Sequence, residues 1–469
     1  MRFLRSRLFL SVIGLGASGT TTLAFNVVLS REFGAVRFGP IAASLAVATA
    51  LAQIPMSSLI PACGQALARV GGDEQADFVV TGIRWVAAVE GFLAVAFVAV
   101  SRMGFFSIER WLLVGVLVFV MLYPLYFFLK VALFARNLIG TYVALEISSD
   151  IVFFGLLAFA VHSRRPELGV GSLAAAYVGF IAIAYRCLTR GRPHAHRLRM
   201  DRDLLRFSAF SFVGTWTSVG RFPLLLLICG AAAGTAAVGA LAPAVALATP
   251  LLLVPQAAGM LAFVDGAAGR REKTRHRAAS ISGLHSVVGW TSAMSAAAVF
   301  ISAPVVFRHL LGASADPRFI LVVAAGIFPL MYGTVYANGL SGRGNVRVVA
   351  AVSAASLVVG VPVAYVAAEL RGALGAAVAM GLVAAATGIG NLALGSFYLG
   401  VPARVPVAVA VASLTSIAAV SFDGAGLVSR VLGASLCFLA VAAATPFAAA
   451  KRITRQPAAP PVAEGVELA

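Results

Sequence analysis

One apolar segment occurs twice in this chain, as GPIAASLAVATALAQIP at 39–55 and as GALAPAVALATPLLLVP at 239–255. The two copies align without gaps at a constant offset of 200 residues. Alanine matches are common in an alanine-rich chain, but a glycine, an Ala-Thr pair, a leucine and a proline in one register indicate an internal repeat. Chance similarity between two alanine-rich helices is the alternative. The identical pairs are Gly39 and Gly239, Ala42 and Ala242, Ala46 and Ala246, Ala48 and Ala248, Thr49 and Thr249, Leu51 and Leu251, and Pro55 and Pro255.

The composition around this repeat is that of a membrane protein. Of 469 residues, 60% are apolar and 12% are charged, and the mean hydropathy is +0.95. Soluble domains have about 45–50% apolar and about 25% charged residues, so an ordinary globular protein is excluded. The apolar residues suffice for about fourteen spans of about twenty residues, which also excludes a single membrane anchor. Short segments of alternating hydropathy are not seen, and the spans are therefore predicted to be helices.

The apolar runs give about fourteen predicted spans, with connections of at most about twenty residues. Such short connections leave no room for a separate catalytic or nucleotide-binding domain. The predicted spans are 8–30, 40–62, 78–100, 111–133, 141–162, 171–188, 207–230, 236–263, 280–305, 319–340, 348–367, 374–398, 404–421 and 427–449.

The chain is strongly basic, with 36 Lys and Arg against 18 Asp and Glu. Most basic residues fall in the tails and in the connections that are cytoplasmic if the chain starts inside, as the positive-inside rule requires. We therefore predict a multi-pass protein of the plasma (inner) membrane with both termini cytoplasmic. The basic stretches 186–206 and 270–277 are expected to touch anionic membrane lipid. A nucleic-acid partner is not expected, because no soluble basic domain is present.

Six predicted spans separate the two copies of the repeat, and an even number returns the chain to the same side of the membrane. The two halves are therefore expected to be parallel repeats related by an axis along the membrane normal, as in alternating-access transporters. The fold class predicted is an all-α polytopic membrane protein with two six-helix lobes and two extra C-terminal helices. The predicted organisation is a first lobe at 1–200, a second lobe at 201–400, two additional helices at 401–450 and a disordered cytoplasmic tail at 451–469.

Three further stretches resemble the multidrug/oligosaccharidyl-lipid/polysaccharide exporter superfamily, and within it the Wzx-like polysaccharide flippases. Asn26 to Gly39, NVVLSREFGAVRFG, is similar to the end of the family's first span. Arg221 to Pro255 resembles the seventh and eighth spans, which open the second lobe. Phe307 to Asn345 resembles the ninth-to-eleventh region, with a Leu-Leu-Gly loop before the tenth span and a Gly-Arg-Gly turn after it.

The resemblance implies two six-helix lobes around a V-shaped cavity that opens alternately to each side of the membrane. In flippase members the cargo is a polyprenyl-pyrophosphate-linked oligosaccharide, and a polysaccharide polymerase and glycosyltransferases are the expected partners. In multidrug members the cargo is an organic cation that is exchanged for protons or sodium. A membrane partner in envelope assembly that transports nothing is a third interpretation.

Three arginines are candidates for binding a pyrophosphate. Arg221 lies about fourteen residues into the seventh span, about 21 Å from its start, which is beyond snorkelling reach. A guanidinium offers two parallel donors to phosphate at any working pH. Pairing with a carboxylate is the alternative for Arg221. Arg31, in the stretch that resembles the family, suits a receiving site at the outer end or an interface anchor, and Arg84 suits the cargo or snorkelling to the cytoplasmic face.

Three carboxylates are candidates for ion coupling. Glu146 and Asp150 are four residues apart on the fifth span and therefore share one helical face. Two neighbouring carboxylates cannot both ionise cheaply in a low dielectric, so the pair is expected to take up a proton or hold a cation such as sodium. The alternative is a structural ion pair with Arg84 or Arg221. Glu90, in the middle of the third span, is a weaker candidate of the same kind.

Enzyme motifs are not found in the sequence. It contains no G-x-x-x-x-G-K phosphate loop and no G-x-S-x-G nucleophile elbow. His194 and His196 lack further ligands for a metal. We therefore expect a transporter rather than an enzyme, with no cofactor and no metal site. The predicted spans 8–30 and 207–230, which open the two lobes, contain no Asp or Glu, and this favours an anionic cargo over a cationic drug.

Overall fold

The computed structural model describes residues 2–67, 74–102, 110–136, 138–189, 205–206, 208–213, 220–268, 276–312, 316–399 and 403–444. Throughout these ranges the regular secondary structure is helical. The predicted tail at 451–469 and most of the two basic stretches lie outside the described residues.

The first half of the chain contributes six helices in the described ranges. They are α1 (Arg2–Ser57), α2 (Leu59–Leu67), α3 (Glu74–Arg102), α4 (Arg110–Ala135), α5 (Ile139–His162) and α6 (Glu167–Thr189).

The second half contributes a further eight helices of regular α geometry in the described ranges, with a short 3-10 segment at Thr249–Leu252. They are α7 (Arg221–Ala233), α8 (Thr235–Ala248), α9 (Leu253–Ala268), α10 (His276–Leu311), α11 (Arg318–Gly342), α12 (Val346–Leu399), α13 (Arg404–Asp423) and α14 (Leu427–Ala444).

The protein is a multi-pass membrane protein by the length and apolarity of these helices. Ten helical segments in the described residues are long and apolar enough to cross a bilayer. Two of them, α1 with 56 residues and α12 with 54, are too long for one crossing of a hydrocarbon core about 30 Å thick. Each changes direction at a glycine, Gly34 in α1 and Gly372 in α12. The polytopic all-α fold is thus as predicted, while the count of fourteen spans stays a prediction.

The two halves share a backbone feature at the offset of 200 residues that the sequence repeat has. Gly34 has φ 75° and ψ 163°, and Gly234 has φ 85° and ψ 166°. A positive φ of this size is readily adopted only by glycine. The chain therefore turns from one span into the next with the same local conformation in both halves.

The two halves contact each other just after these turns, where the next span of each half begins. A Cβ atom on Gly39 would overlap the carbonyl oxygen of Thr235, and one on Gly239 would overlap the carbonyl oxygen of Ala35. Ala35 and Thr235 are themselves 200 residues apart, so the contact is reciprocal, as around a two-fold axis. The equivalent positions of Gly39 and Gly239 in the two halves thus allow α1 and α8 to come into backbone contact. The lobe boundaries near residues 200 and 400 stay predictions.

The second half is held together by glycine contacts between α11 and α12. A Cβ on Gly326 would overlap the backbone of Gly381, and one on Gly388 would overlap the backbone of Pro329. The last two helices, α13 and α14, pack against this half. The buried Ser413 hydroxyl donates a hydrogen bond of 2.7 Å to the carbonyl oxygen of Ala325, which fixes α13 to α11.

Candidate functional site

A buried ion pair lies in the interior of the first half. The Lys130 ammonium on α4 is 3.0 Å from Oε1 of Glu146 on α5, and the two side chains are 5% and 2% exposed. The Tyr126 hydroxyl donates a second hydrogen bond, of 2.6 Å, to the same oxygen. The alternative considered for Glu146, an ion pair with Arg84 or Arg221, is therefore wrong in its partner, because α4 brings a lysine to this face of α5.

Asp150 lies one turn further along α5 and is bound differently. Its Oδ1 accepts a hydrogen bond from the Thr21 hydroxyl of α1, and the residue is only partly buried. The Ser18 hydroxyl of α1 lies 3.1 Å from the Tyr126 hydroxyl of α4. The first helix thus supplies two hydroxyl groups, three residues apart on one face, to a site whose charges come from α4 and α5.

Aromatic rings enclose this site. The Tyr126 ring stacks on Tyr177 of α6 at 4.7 Å between centroids, and Lys130 Nζ lies 5.0 Å from the centre of the Tyr142 ring. The Tyr142 hydroxyl is buried without a well-formed hydrogen bond. Enclosure of this kind lowers the local dielectric and strengthens the Lys130–Glu146 attraction. We call the following residues the polar cluster: Ser18, Thr21, Tyr126, Lys130, Tyr142, Glu146 and Asp150.

Helical spacing explains how three helices build the polar cluster. The first and fourth helices each contribute two residues and α5 contributes three, at spacings of three or four residues that place the side chains of each helix on one face. Sequence reasoning found the Glu146 and Asp150 pair on α5 but did not single out Lys130. The sequence does contain a pattern that indicates Lys130, because Tyr126 and Lys130 form a Tyr-x-x-x-Lys pair inside a predicted span.

Glu90 on α3 is fully buried, and neither of its carboxylate oxygens has a hydrogen-bond partner. Burying a polar group without a partner is unfavourable, and burying a charge without one is far more so. The structure thus leaves Glu90 outside the hydrogen-bond network of the polar cluster. Its role in ion coupling stays a prediction.

Arg221 is the first residue of α7 and is fully buried. Among the described residues, none of its three guanidinium nitrogens has a hydrogen-bond partner. The guanidinium carbon lies 5.5 Å from the centre of the Phe222 ring. Pairing of Arg221 with a carboxylate, the alternative to cargo binding, is therefore not what the structure shows. An unpartnered buried guanidinium is costly, so its environment favours an anionic ligand.

The other two arginine candidates are not buried with Arg221. Arg31 is exposed at the kink of α1, and its Nη1 donates a hydrogen bond of 3.2 Å to the carbonyl oxygen of His309 at the end of α10. This bond joins the first half to the second, and we call the position of Arg31 and His309 the rim between the halves. Arg84 is exposed on α3. The structure therefore separates the three predicted phosphate ligands into one interior and two surface positions.

A small apolar pocket lies among α1, α4 and α6. Its volume is about 10 Å³, room for at most about one water molecule and far below the roughly 300–1,000 Å³ typical of small-molecule sites. A lipid-linked saccharide does not fit in it. Among the described residues, no group of three or more His, Cys, Asp or Glu side chains is placed to hold a metal ion. The pocket is lined by Ile41, Ser44, Leu45, Ala48, Leu112, Val116, Phe119 and Val170.

Comparison by sequence finds no match to a protein-family model and no match to a curated protein. Comparison by structure finds several transporters. A structure described as the lipid II flippase MurJ in an inward closed conformation has a TM-score of 0.62 at 11% identity, over 92% of this chain and 98% of that chain. The eukaryotic MATE transporter AtDTX14 has a TM-score of 0.63 at 16% identity, over 83% and 95%.

A further structure, of a MOP superfamily transporter from Pyrococcus furiosus, has a TM-score of 0.55 at 14% identity, over 85% of this chain and 95% of that chain. These similarities extend over nearly the whole of each chain. At such low identity they establish the fold and leave the cargo open. The chain therefore has the fold of the multidrug/oligosaccharidyl-lipid/polysaccharide exporter superfamily, which the sequence resemblance predicted.

Proposed function

We propose that this protein moves a polyprenyl-pyrophosphate-linked oligosaccharide from the inner to the outer leaflet of the plasma membrane, for the synthesis of a cell-surface polysaccharide. The lipid tail stays in the bilayer, while the sugar and the pyrophosphate pass between the two halves. Glycosyltransferases supply this cargo and a polysaccharide polymerase consumes it.

The observation that carries the proposal is the unpartnered guanidinium of Arg221. It is fully buried, it has no hydrogen-bond partner, and it begins a helix of the second half. A pyrophosphate supplies the negative charge and the pairs of acceptor oxygens that a guanidinium lacks here. Arg31, at the rim between the halves, is placed to act at the exit, whereas Arg84 has the exposure of a residue that snorkels to the interface.

Alternating access is consistent with the contact between Gly39 and Gly239. With both termini in the cytoplasm, the turns at Gly34 and Gly234 lie on the outer side of the membrane. The backbone contact then closes the outer end of the passage, and cargo enters from the inner leaflet. Release requires α1 and α8 to separate at these two glycines.

Ion coupling is assigned to the first half. Glu146 is neutralised by Lys130, whereas Asp150 accepts a hydrogen bond from a neutral hydroxyl. Asp150 is therefore the carboxylate that exchanges a proton during the cycle. Glu90, which is buried without a partner, is the second carboxylate available for this role.

A cation-coupled multidrug exporter is the second candidate. Its support is the similarity in fold to MATE transporters together with the buried carboxylates of the first half. The cationic guanidinium at the start of α7 opposes it, because a buried positive charge repels an organic cation. A non-transporting partner in envelope assembly is the third reading.

Reconstitution distinguishes the three candidates. The purified protein is reconstituted into liposomes that contain undecaprenyl pyrophosphate linked to a fluorescent saccharide. A quencher added outside the liposomes measures how much of the fluorescent saccharide has been transferred to the outer leaflet. We expect lipid transfer that is lost when Arg221 is replaced, and we expect no transport of ethidium. Proton-driven ethidium transport without lipid transfer would establish the drug exporter. No transport of either probe would favour the assembly partner.

A further inference from the structure

The polar cluster contains its own cation. Lys130 contributes one positive charge, and Glu146 and Asp150 contribute one negative charge each when ionised. The Lys130 ammonium lies 3.0 Å from Oε1 of Glu146 and 3.5 Å from the Tyr126 hydroxyl. With both carboxylates ionised, the cluster carries a single net negative charge.

The ammonium contacts two oxygen atoms, Oε1 of Glu146 and the hydroxyl of Tyr126. The rest of the polar cluster is also rich in oxygen, because Ser18 lies against the Tyr126 hydroxyl and Thr21 donates to the Asp150 carboxylate. Hard metal cations prefer ligands of this kind. Within the described residues, the ammonium of Lys130 already occupies the position where a metal cation would satisfy Glu146 and Tyr126.

We propose that Lys130 is a tethered cation that excludes sodium and potassium from the polar cluster and leaves Asp150 as the single exchangeable acid of that cluster. The proposal deepens the assignment of ion coupling to the first half and rests on it. Its physical basis is that the ammonium is covalently attached and therefore present at a very high local concentration. A dissolved cation would have to displace it from a buried ion pair, which is unfavourable.

The other groups of the polar cluster and its surroundings do not change this balance. The α1 hydroxyls that contact Tyr126 and Asp150 are neutral, and so are Tyr126 itself and the Tyr177 ring stacked on it. The Tyr142 ring of α5 adds a favourable contact to the ammonium at 5.0 Å. Lys130 is also the cation whose charge acts on Asp150.

The proposal is tested by sodium binding to the purified full-length protein, with no cargo present. Binding of radioactive sodium and the thermal unfolding midpoint are measured in sodium chloride, potassium chloride and choline chloride at equal ionic strength. We expect the wild type to respond equally to all three salts. We expect Lys130→Met to gain saturable sodium binding, with an affinity raised at least about tenfold, equivalent to about 1.4 kcal/mol.

Two control variants make the result specific. Lys130→Met/Glu146→Gln loses the sodium response, because the carboxylate that would hold the metal is gone. Lys451→Met, which removes a lysine far along the chain, behaves as the wild type. Saturable sodium binding to the wild type, or a folded Lys130→Met protein that ignores sodium, would overturn the proposal.

Lys130→Arg covers the case in which Lys130→Met does not fold in any of the salts. This variant retains the tethered charge, so a folded Lys130→Arg protein that binds no sodium, beside a wild type that binds none, supports the proposal. Sodium binding to Lys130→Arg as strong as that expected for Lys130→Met overturns it. Because the assay contains no lipid-linked saccharide, its outcome is independent of whether the protein flips one.

Discussion

The two halves of this protein share a backbone plan but differ in what they bury. In the first half the buried charged residues include Glu90, Lys130 and Glu146, and the last two form an ion pair. In the described part of the second half, Arg221 is the buried charge. The other buried polar residues there are uncharged: Ser211, Ser292, Ser353, Thr387, Asn391, Ser413, Ser416 and Ser429.

This difference indicates that two halves with the same helix arrangement can have different roles. The first half has both signs of charge in contact, and uptake of one proton by its polar cluster changes the net charge of the cluster from minus one to zero. The second half has an isolated positive charge, which suits an anion that arrives and leaves. Under the proposed function, the same helix arrangement would serve ion coupling in one half and phosphate binding in the other.

The largest expected effect is at Arg221. Arg221→Ala should lower lipid transfer in proteoliposomes at least about 100-fold, because losing one partner of a buried charged interaction costs about 2–5 kcal/mol. Arg221→Lys should recover part of the rate, since it keeps the charge but not the two-pronged geometry. Arg84→Ala, at an exposed arginine, is the control and should transfer at the wild-type rate. Unchanged transfer by Arg221→Ala would remove the second half from phosphate binding.

The next effect concerns stability in the first half. Glu146→Gln leaves the Lys130 ammonium buried without its counter-charge and should lower the free energy of unfolding by about 3–5 kcal/mol. Lys130→Met/Glu146→Gln should recover most of this loss, because no charge is left unpaired. Thermal unfolding of the purified variants measures both.

The exposed ion pair of the second half is the matched control for Glu146. Arg318 Nη2 lies 2.6 Å from Oδ2 of Asp316, with side chains 40% and 26% exposed. Asp316→Asn should cost at most about 1 kcal/mol, since solvent screens exposed pairs. Equal losses for Glu146→Gln and Asp316→Asn would contradict the distinction between a buried network and a surface pair.

The backbone contact between the two halves should be weakened equally by substitution of Gly39 or of Gly239. Gly39→Ala and Gly239→Ala each place a methyl group against a backbone carbonyl of the opposite half, at a cost of about 1–3 kcal/mol to the closed arrangement. Both should increase labelling of a cysteine introduced at the buried Val238 by a membrane-impermeant maleimide. Gly155→Ala is the control, because its Cβ would meet nothing within 4 Å. A response to only one of the two glycines would argue against a reciprocal gate.

The smallest effect is expected at the rim. Arg31→Ala removes one exposed hydrogen bond to the His309 carbonyl and should change the transfer rate no more than about fivefold, because such a bond contributes about 1 kcal/mol. A loss as large as that of Arg221→Ala would instead show that Arg31 binds the phosphate directly.

Hydropathy and spacing in the sequence were sufficient for the helical membrane fold. Apolar runs long enough to cross a bilayer can satisfy their backbone groups there only as helices or closed barrels. The offset of 200 residues predicted related halves, and the matched turns at Gly34 and Gly234 have that offset. Helical periodicity also placed Glu146 and Asp150 on one face, because residues four apart always share a face.

The partners of these side chains could not be read from the sequence. Periodicity fixes which residues of one helix lie together, but the rotation and tilt of neighbouring helices fix what they meet. For this reason the alternative considered for Glu146 named an arginine as its partner, whereas the structure brings Lys130 to it, and the bond from Arg31 to a carbonyl on α10 was not foreseen. The sequence set the helices, their order and their apolar faces, whereas three-dimensional packing set the pairing of charges, because a buried charge is satisfied by the nearest partner in space and not in sequence.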